Sequence, residues 1–195
     1  MKRLWMVLWL VAGVVWASSA WAEPVSWKLD TAHSGVYFEI QHIFSQMRGH
    51  FDDFSGEVTM DPKDLTKSRC RFVVKTKSIN TFNRKRDTHL RSPELFHAKR
   101  YPEMVFESTR ILRAGSNAYT MEGNLTVKGK TQPVRMPLIF HGVTPNPFKP
   151  SQQVAGFTTE FIIDRLAYGV GSGKYLELGV IGKDAKVKIS VELIR

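Results

Sequence analysis

The chain has 195 residues, 43% of them hydrophobic and 24% charged, and it carries a formal net charge of +10. This length and composition predict one ordinary folded domain, and the single cysteine, Cys70, excludes an internal disulfide as its source of stability. The basic charge suits an anionic head group or an anionic membrane surface as a partner.

Residues 1–22 have the features of an export signal. Lys2 and Arg3 give a basic start, residues 4–15 are apolar, and Ala20-Trp21-Ala22 offers small residues at a cleavage site. We predict a signal peptide cleaved after Ala22, followed by a single domain at residues 23–195. The alternative is an uncleaved anchor, although the apolar run is short for a membrane span. Loss of the two basic residues lowers the formal charge from +10 to +8, and export argues against nucleic acid as a partner.

After the signal, apolar and polar residues alternate with period 2, which predicts about eight strands. The clearest runs lie at residues 36–41, 58–60, 70–75, 103–107, 119–127, 134–140, 157–163 and 186–193. Residues 26–30 offer a short additional strand, Pro137 suggests an edge or a bulge, and residues 41–46 carry a weak helical signal. Such strands, joined by turns rich in glycine and proline, indicate an antiparallel sandwich or barrel, and closure into a barrel removes exposed edges.

Residues 78–102 interrupt the alternation. Arg86, Asp87, His89 and Arg91 lie close together there, and Ser92-Pro93 offers a helix start with proline in the first turn. An insert of this kind usually sits at one end of a sheet or barrel, where loops carry function. The alternative is a salt-bridged connection that only pins two strands.

The inward positions of the strands are rich in phenylalanine and methionine. A barrel of about eight strands has room either for its own side chains or for one small ligand, so these residues predict a filled core or an apolar pocket. Cys70 is expected to point inward as a small apolar residue. The alternative for this thiol is an intermolecular disulfide, and a homodimer is the oligomer that we consider.

Four groups of motifs, in order along nearly the whole of residues 23–195, resemble the YceI family of exported bacterial proteins. The first group is Asp30-Thr31-Ala32-His33-Ser34 with Phe38, His42 and Gly49-x-Phe51-x-x-Phe54-x-Gly56, and the second is Ser78-Ile79-x-Thr81, Arg86-Asp87-x-His89-Leu90-Arg91-Ser92, Phe96, Tyr101-Pro102 and Phe106-x-Ser108. The third group is Gly123-Asn124-Leu125-Thr126-Val127-x-Gly129-x-Thr131. The fourth is Gly156-Phe157, Ile163-Asp164-Arg165 and Tyr168-Gly169. Residues 169–184 depart most from the pattern.

The resemblance implies an all-β fold, an antiparallel eight-stranded lipocalin-like barrel with a short helical insert at one end, in a periplasmic protein. It also implies an elongated apolar channel for a polyisoprenoid or an isoprenoid quinone, with no catalysis and no cofactor besides that lipid. It does not say which residues touch the lipid, so those assignments rest on strand alternation. We predict that the tail contacts Phe38, Phe72, Val74, Phe106, Met121, Leu125, Met136, Phe140 and Phe157. We predict that the head group lies near His33, Arg86, His89 and Arg91.

Three other functions deserve a test. The six histidines lack the local spacing that arranges metal ligands, so no metal site is predicted. A lipid- or polyanion-directed hydrolase could use the Asp87/His89/Arg86 cluster, although a structural Asp–Arg pair explains the same residues and no nucleophile motif accompanies them. A barrel with a filled core could serve as an interaction module. Separately, the basic runs Arg84-Lys85-Arg86 and Lys99-Arg100 could contact an anionic membrane, or simply face solvent.

Overall fold

The computed structural model describes residues 24–195, so the predicted signal peptide at residues 1–22 lies outside the described residues. Within residues 24–195 the chain is mostly strand. The strands are β1 (Val25–His42), β2 (Ser45–Phe51), β3 (Phe54–Met60), β4 (Arg69–Lys75), β5 (Ile79–Asn80), β6 (Glu103–Arg113), β7 (Ala118–Val127), β8 (Lys130–Asn146), β9 (Lys149–Asp164) and β10 (Ile181–Ile194). Two short α-helices are α1 (Arg84–Leu90) and α2 (Lys174–Glu177), and 3₁₀ turns lie at Leu65–Lys67 and Thr76–Ser78. None of the helices in this part of the chain is long and apolar enough to cross a membrane.

The strands form one antiparallel sheet that closes when β10 pairs with β1. Around the ring the order is β1, β3, β4, β6, β7, β8, β9 and β10, while β2 and β5 extend the wall along the second half of β1. The predicted antiparallel eight-stranded barrel is therefore confirmed. Closure joins residues that are far apart in sequence, as in the pairing of Leu29 with Leu193.

Strand β1 connects three strands of the wall, because it pairs on both sides of the bulge at residues 31–34. Its first residues pair with β3, its later residues pair with β2, and β10 lies on its other side. Residues 26–30, predicted as a separate short strand, are the start of β1, and the pairing with β10 shifts register between Asp30 and Gly35. The bulge in this region turns residues 31–34 away from regular alternation.

The helical signal at residues 41–46 is wrong, because these residues form the β1–β2 hairpin. His42 pairs with Ser45, which leaves Ile43 and Phe44 as a two-residue loop. The side-chain amide of Gln41 donates to the Ile43 carbonyl at 2.6 Å, so side-chain and strand hydrogen bonds satisfy the backbone without a helix.

The insert does contain a helix, but it begins earlier than the sequence suggests. Asn83 caps α1 by accepting a hydrogen bond from the Arg86 amide at 3.0 Å. Ser92-Pro93 is not a helix start, because the Ser92 carbonyl accepts from the amides of Leu95 and His97 in a tight turn. The Ser92 hydroxyl is buried without a hydrogen-bond partner, so it caps no helix.

Pro137 lies where β8 has backbone pairing on one side. It faces Thr120 of β7, whereas pairing with β9 begins only at Ile139. The Pro137 carbonyl instead accepts from the Thr159 hydroxyl at 2.5 Å. This edge-like position tolerates a residue without an amide proton, as the sequence suggested.

The two ends of the barrel differ. One end, which we call the closed end, is sealed by Trp27, Met60 and Leu65, which are at most 2% exposed. The other, the open end, carries the β1–β2 hairpin, the insert at residues 76–102 and the loop at residues 165–180. The antiparallel order places these three segments together, because β1, β4 and β9 all end there while β2, β6 and β10 begin there.

Candidate ligand cavity

The barrel encloses a cavity of about 760 Å³. Its lining comes mainly from the inward faces of the strands and from the segments at the open end, and most of the lining surface is apolar. Ligand pockets of roughly 300–1,000 Å³ hold drug-sized molecules. The barrel is therefore hollow, and the alternative of a core filled by its own side chains is wrong.

Nearly all of the predicted tail residues line this cavity, because strand alternation points them inward. They are Phe38, Phe72, Val74, Phe106, Met121, Leu125, Met136 and Phe157. Phe140 is the exception: it is not among the lining residues, and its ring stacks on Phe157 at a centroid distance of 4.9 Å. A register shift in β8 follows Phe140, so alternation alone is a poor guide there.

The cavity reaches solvent at the open end. At the closed end its lining includes nearly fully buried Met60, Leu65 and Leu193, with exposed Arg69 at the start of β4 beside them. At the open end the lining includes exposed Lys85 and His89. An apolar interior with one polar mouth is the arrangement that an amphiphile requires.

Arg86 and His89 both line the cavity at this mouth. The Arg86 guanidinium donates to the Thr81 hydroxyl at 2.7 Å and to the Thr81 carbonyl at 2.6 Å. His89 Nε2 lies 2.8 Å from a Glu94 carboxylate oxygen, and this hydrogen bond lowers the pKa of Glu94. The insert therefore holds Arg86 and His89, two of the four predicted head-group residues, beside the opening.

The other two predicted head-group residues lie away from the cavity lining. His33 sits in the bulge of β1, where its Nδ1 lies 2.9 Å from an Asp30 carboxylate oxygen, which raises the pKa of His33. Arg91 donates to the carbonyls of Lys77 and Ile79 at 2.7 and 2.6 Å. These contacts tie the insert to residues 77 and 79, and neither Arg91 nor His33 lines the cavity as Arg86 and His89 do.

The arrangement around Asp87 does not resemble an acid–base site. Asp87 is buried, and its carboxylate accepts from the Thr81 amide at 2.9 Å and from the Thr81 hydroxyl at 2.5 Å. Within residues 24–195 Asp87 is not hydrogen-bonded to His89, which contacts Glu94 instead, and it forms no ion pair with an arginine, contrary to the expected Asp–Arg pair. The cluster holds the start of α1 against β5.

One group of side chains among residues 24–195 has the proximity that metal ligands need. Ligand atoms of Asp30, His33 and Glu192 lie within 4.8 Å of one another. The Asp30–His33 hydrogen bond accounts for the closeness of two of them. The absence of a metal site remains a prediction from the sequence.

Comparison with known proteins agrees with this geometry. The chain matches the family model of the YceI-like domain over residues 27–193. It belongs to the YceI family. A UPF0312 protein from Staphylococcus epidermidis is 35% identical to this YceI protein, in an alignment that covers 84% of this chain and 94% of the relative. A UPF0312 protein from Serratia proteamaculans is 33% identical, with 97% and 96% covered.

Solved structures share the barrel. The crystal structure of BcnA from Burkholderia cenocepacia superposes with a TM-score of 0.72 at 27% identity, covering 86% of this chain and 99% of that one. A polyisoprenoid-binding domain from Saccharophagus degradans superposes with a TM-score of 0.66 at 16% identity, covering 88% and 98%. The second likeness is one of fold.

Sequence reasoning missed two residues that fix the mouth of this YceI protein. Lys128 Nζ donates to the carbonyls of Pro93, Glu94 and Gly169, at distances of 2.8–3.3 Å. Arg165 donates to carbonyls of Val170, Ile181 and Gly182 and is 7% exposed. Burial lowers the pKa of both side chains. Arg165 stands in the motif Ile163-Asp164-Arg165, but most acceptors of the two side chains are backbone oxygens far away in sequence, so the motif alone assigns neither residue this role.

Sequence reasoning also did not name several residues that line the cavity. Met104, Val187 and Ile189 line the cavity beside the predicted tail residues. Val187 and Ile189 lie on the apolar face of the cleanest alternating run in the sequence, so the same period-2 signal could have identified them.

Proposed function

We propose that this YceI protein is a non-enzymatic periplasmic binding protein that carries one polyisoprenoid or isoprenoid-quinone-like amphiphile in its barrel. The observation that carries the proposal is a hollow of about 760 Å³ with an apolar lining that ends at a polar mouth. The similarly folded polyisoprenoid-binding domain from Saccharophagus degradans supports the same class of ligand.

The energetics favour a carrier whose selectivity lies in tail fit and head-group contacts. A buried methylene is worth roughly 0.8 kcal/mol relative to water, so a tail of about 40 carbons would nominally gain about 30 kcal/mol, above the ceiling of roughly 20 kcal/mol on real affinities. A bilayer offers the tail nearly the same gain. The net transfer from membrane to protein therefore depends on a much smaller difference.

We place the tail along the inward faces of β4, β6 and β7, against Phe72, Phe106 and Leu125, and the head group at the mouth. Arg86 and His89 are its proposed neighbours, because they alone among the predicted head-group residues line the cavity. The proposed periplasmic location rests on the export signal read at residues 1–22. A homodimer and a contact between the basic run Arg84-Lys85-Arg86 and an anionic membrane remain predictions.

A matched pair of variants on β7 tests the proposal. Leu125 lines the cavity, whereas its neighbour Asn124 is exposed on the outer face of the barrel. Leu125→Trp should place a bulky indole in the path of the tail and lower the amount of amphiphile recovered by solvent extraction at least fivefold. Asn124→Trp should leave it unchanged. Equal recovery from both variants, or no amphiphile from the unaltered protein, would contradict the proposal.

A further inference from the structure

The open end carries large apolar side chains that bury little within the protein. Ile43 is 48% exposed, Phe44 99%, Leu176 39% and Leu178 63%. The first two form the loop of the β1–β2 hairpin, and the others lie in α2 and directly after it. We call these four residues the apolar rim.

The two halves of the apolar rim are joined to each other and to the cavity. The Ile43 amide donates to the Val180 carbonyl at 3.0 Å, and the Val180 amide donates to the Tyr175 carbonyl at 2.8 Å. His42, Tyr175 and Val180, which flank the rim in sequence, line the cavity. The apolar rim therefore borders the opening through which a ligand would enter.

Folding alone does not explain these residues. Two-residue hairpin loops favour asparagine and glycine, because such turns require positive φ angles. Ile43 has φ of 51°, a conformation that is costly for a β-branched side chain, and it is followed by a phenylalanine that is almost fully exposed. Strained, exposed apolar residues at a mouth point to a contact outside the protein.

The open end that carries the apolar rim also presents exposed basic side chains. Lys85 is exposed and lines the mouth, Arg84 is exposed next to it, and Lys174 is exposed at the start of α2. The acidic residues at α2 are Glu177 within it and Glu94, which is hydrogen-bonded to Tyr175. Apolar side chains flanked by lysine and arginine suit the interface of an anionic bilayer, where burial and electrostatic attraction act together.

We propose that the apolar rim inserts into the surface of an anionic bilayer and sets the open end of the barrel on the membrane. The inference rests on the proposed lipid-carrying function, since a seated mouth lets a tail pass between bilayer and cavity without crossing water. In this proposal the hairpin loop and the α2 segment insert apolar side chains into the bilayer, which the basic runs alone could not do.

The barrel supplies a matched control for a test. Phe148 is 98% exposed in the β8–β9 hairpin, at the closed end. Phe44→Asp and Phe148→Asp therefore make the same chemical change on hairpin loops at opposite ends. The proteins, all expressed from the full 195-residue chain, are compared by co-sedimentation with vesicles of phosphatidylglycerol and phosphatidylethanolamine at low salt. All variants share the same N-terminal segment, so any contribution of that segment to vesicle binding is the same in each protein that is compared.

The apolar rim predicts that Phe44→Asp weakens vesicle binding tenfold or more, the ratio implied by keeping one phenylalanine in water. Phe148→Asp should bind as the unaltered protein does, and high salt should weaken binding of both. Equal binding by Phe44→Asp and Phe148→Asp, or no binding by the unaltered protein, would overturn the inference. It would also be overturned if Phe44→Asp abolished a dimer in gel filtration without changing vesicle binding.

Bound amphiphile, measured on the same preparations, separates this inference from the proposed function. Amphiphile in the unaltered protein together with Phe44-dependent vesicle binding supports both. Amphiphile without Phe44-dependent binding refutes the apolar rim and leaves the carrier function intact. Phe44-dependent binding without amphiphile refutes the carrier function, while the membrane contact stands.

Discussion

Cys70 lies in β4, and its side chain faces the interior of the barrel. Its Sγ lies 3.8 Å from the Met121 sulfur, its backbone amide donates to the Ser108 hydroxyl at 2.8 Å, and burial raises the pKa of the thiol. The inward orientation predicted from alternation is confirmed, since Cys70 lines the cavity. A neutral, enclosed thiol is a poor nucleophile.

We expect Cys70 to react with a maleimide at least tenfold more slowly in the folded protein than in urea, because only the thiolate attacks. Extraction of the lipid should speed the reaction by opening the cavity to the reagent. Intact-mass measurements over time give the rates. A folded protein that reacts as fast as the unfolded chain would show that Cys70 is not enclosed.

Glu94 makes the mouth sensitive to acid. Hydrogen bonds from His89 and Tyr175 lower the pKa of Glu94 below its usual 4.5. A carboxyl with a depressed pKa contributes stability that is present above 4.5 and is lost as the pH falls through its lower, folded-state pKa. Glu94→Gln should therefore flatten the decline of unfolding free energy in that acidic range, measured by urea unfolding. An unchanged pH profile would contradict this role.

At the scale of elements, the mouth is held by the turn between β7 and β8. Lys128 joins this turn to the insert and to the loop at residues 165–180 through three backbone carbonyls. Arg91 fastens the other side of the insert to residues 77 and 79. These charged donors keep α1 over the opening, although the insert has no strand partner beyond β5.

Lys128→Met should lower the free energy of unfolding by about 1–3 kcal/mol, because removal of a charged donor leaves its acceptors unsatisfied. Exposed Lys130, the first residue of β8, provides the control, and Lys130→Met should change stability by less than about 0.5 kcal/mol. Urea unfolding measures both. Equal effects of the two substitutions would show that Lys128 does not act through its hydrogen bonds.

The alternation of apolar and polar residues predicted the strands well where the barrel wall is regular. Alternation located the barrel strands and the inward positions of Phe72, Phe106 and Met121, because a half-buried strand has a period of two residues. It failed at irregularities: the tight hairpin loop at Ile43 was read as helical, and Asn83 was overlooked as the cap of α1. Such features depend on φ angles and side-chain hydrogen bonds that periodicity does not record.

The head-group site could be foreseen only in part, for a similar reason. Arg86, His89 and Arg91 are close in sequence, but the acceptors that orient them are carbonyls and carboxylates chosen by the tertiary fold. His33 lies in the β1 bulge, so its place in the motif says little about the direction of its side chain. Closure of the barrel was expected because exposed strand edges are unfavourable, but the sequence did not indicate that β10 would pair with β1.

At the scale of the whole molecule, the hollow barrel gives up some of the packing that a solid core would provide. Lining side chains around an empty space lack contact partners on one side. A ligand that fills the cavity supplies those contacts, and it binds the folded state alone. Stability and occupancy should therefore be linked by mass action.

Removal of the lipid should lower the melting temperature. A ligand present at about 100 times its Kd adds about 2.7 kcal/mol, which for a domain of this size corresponds to roughly 5–10 °C. Calorimetry before and after solvent extraction, with readdition of the extracted lipid as the control, measures the change. An unchanged melting temperature after verified removal would contradict a lipid that fills the barrel.

Native mass spectrometry of the protein purified from its own host tests the carrier function most directly. The hollow barrel with one mouth predicts a species that exceeds the polypeptide mass by one amphiphile, which is released on activation in the gas phase and is depleted in Leu125→Trp. A bare polypeptide mass, with no amphiphile in the solvent extract of the same preparation, would contradict it.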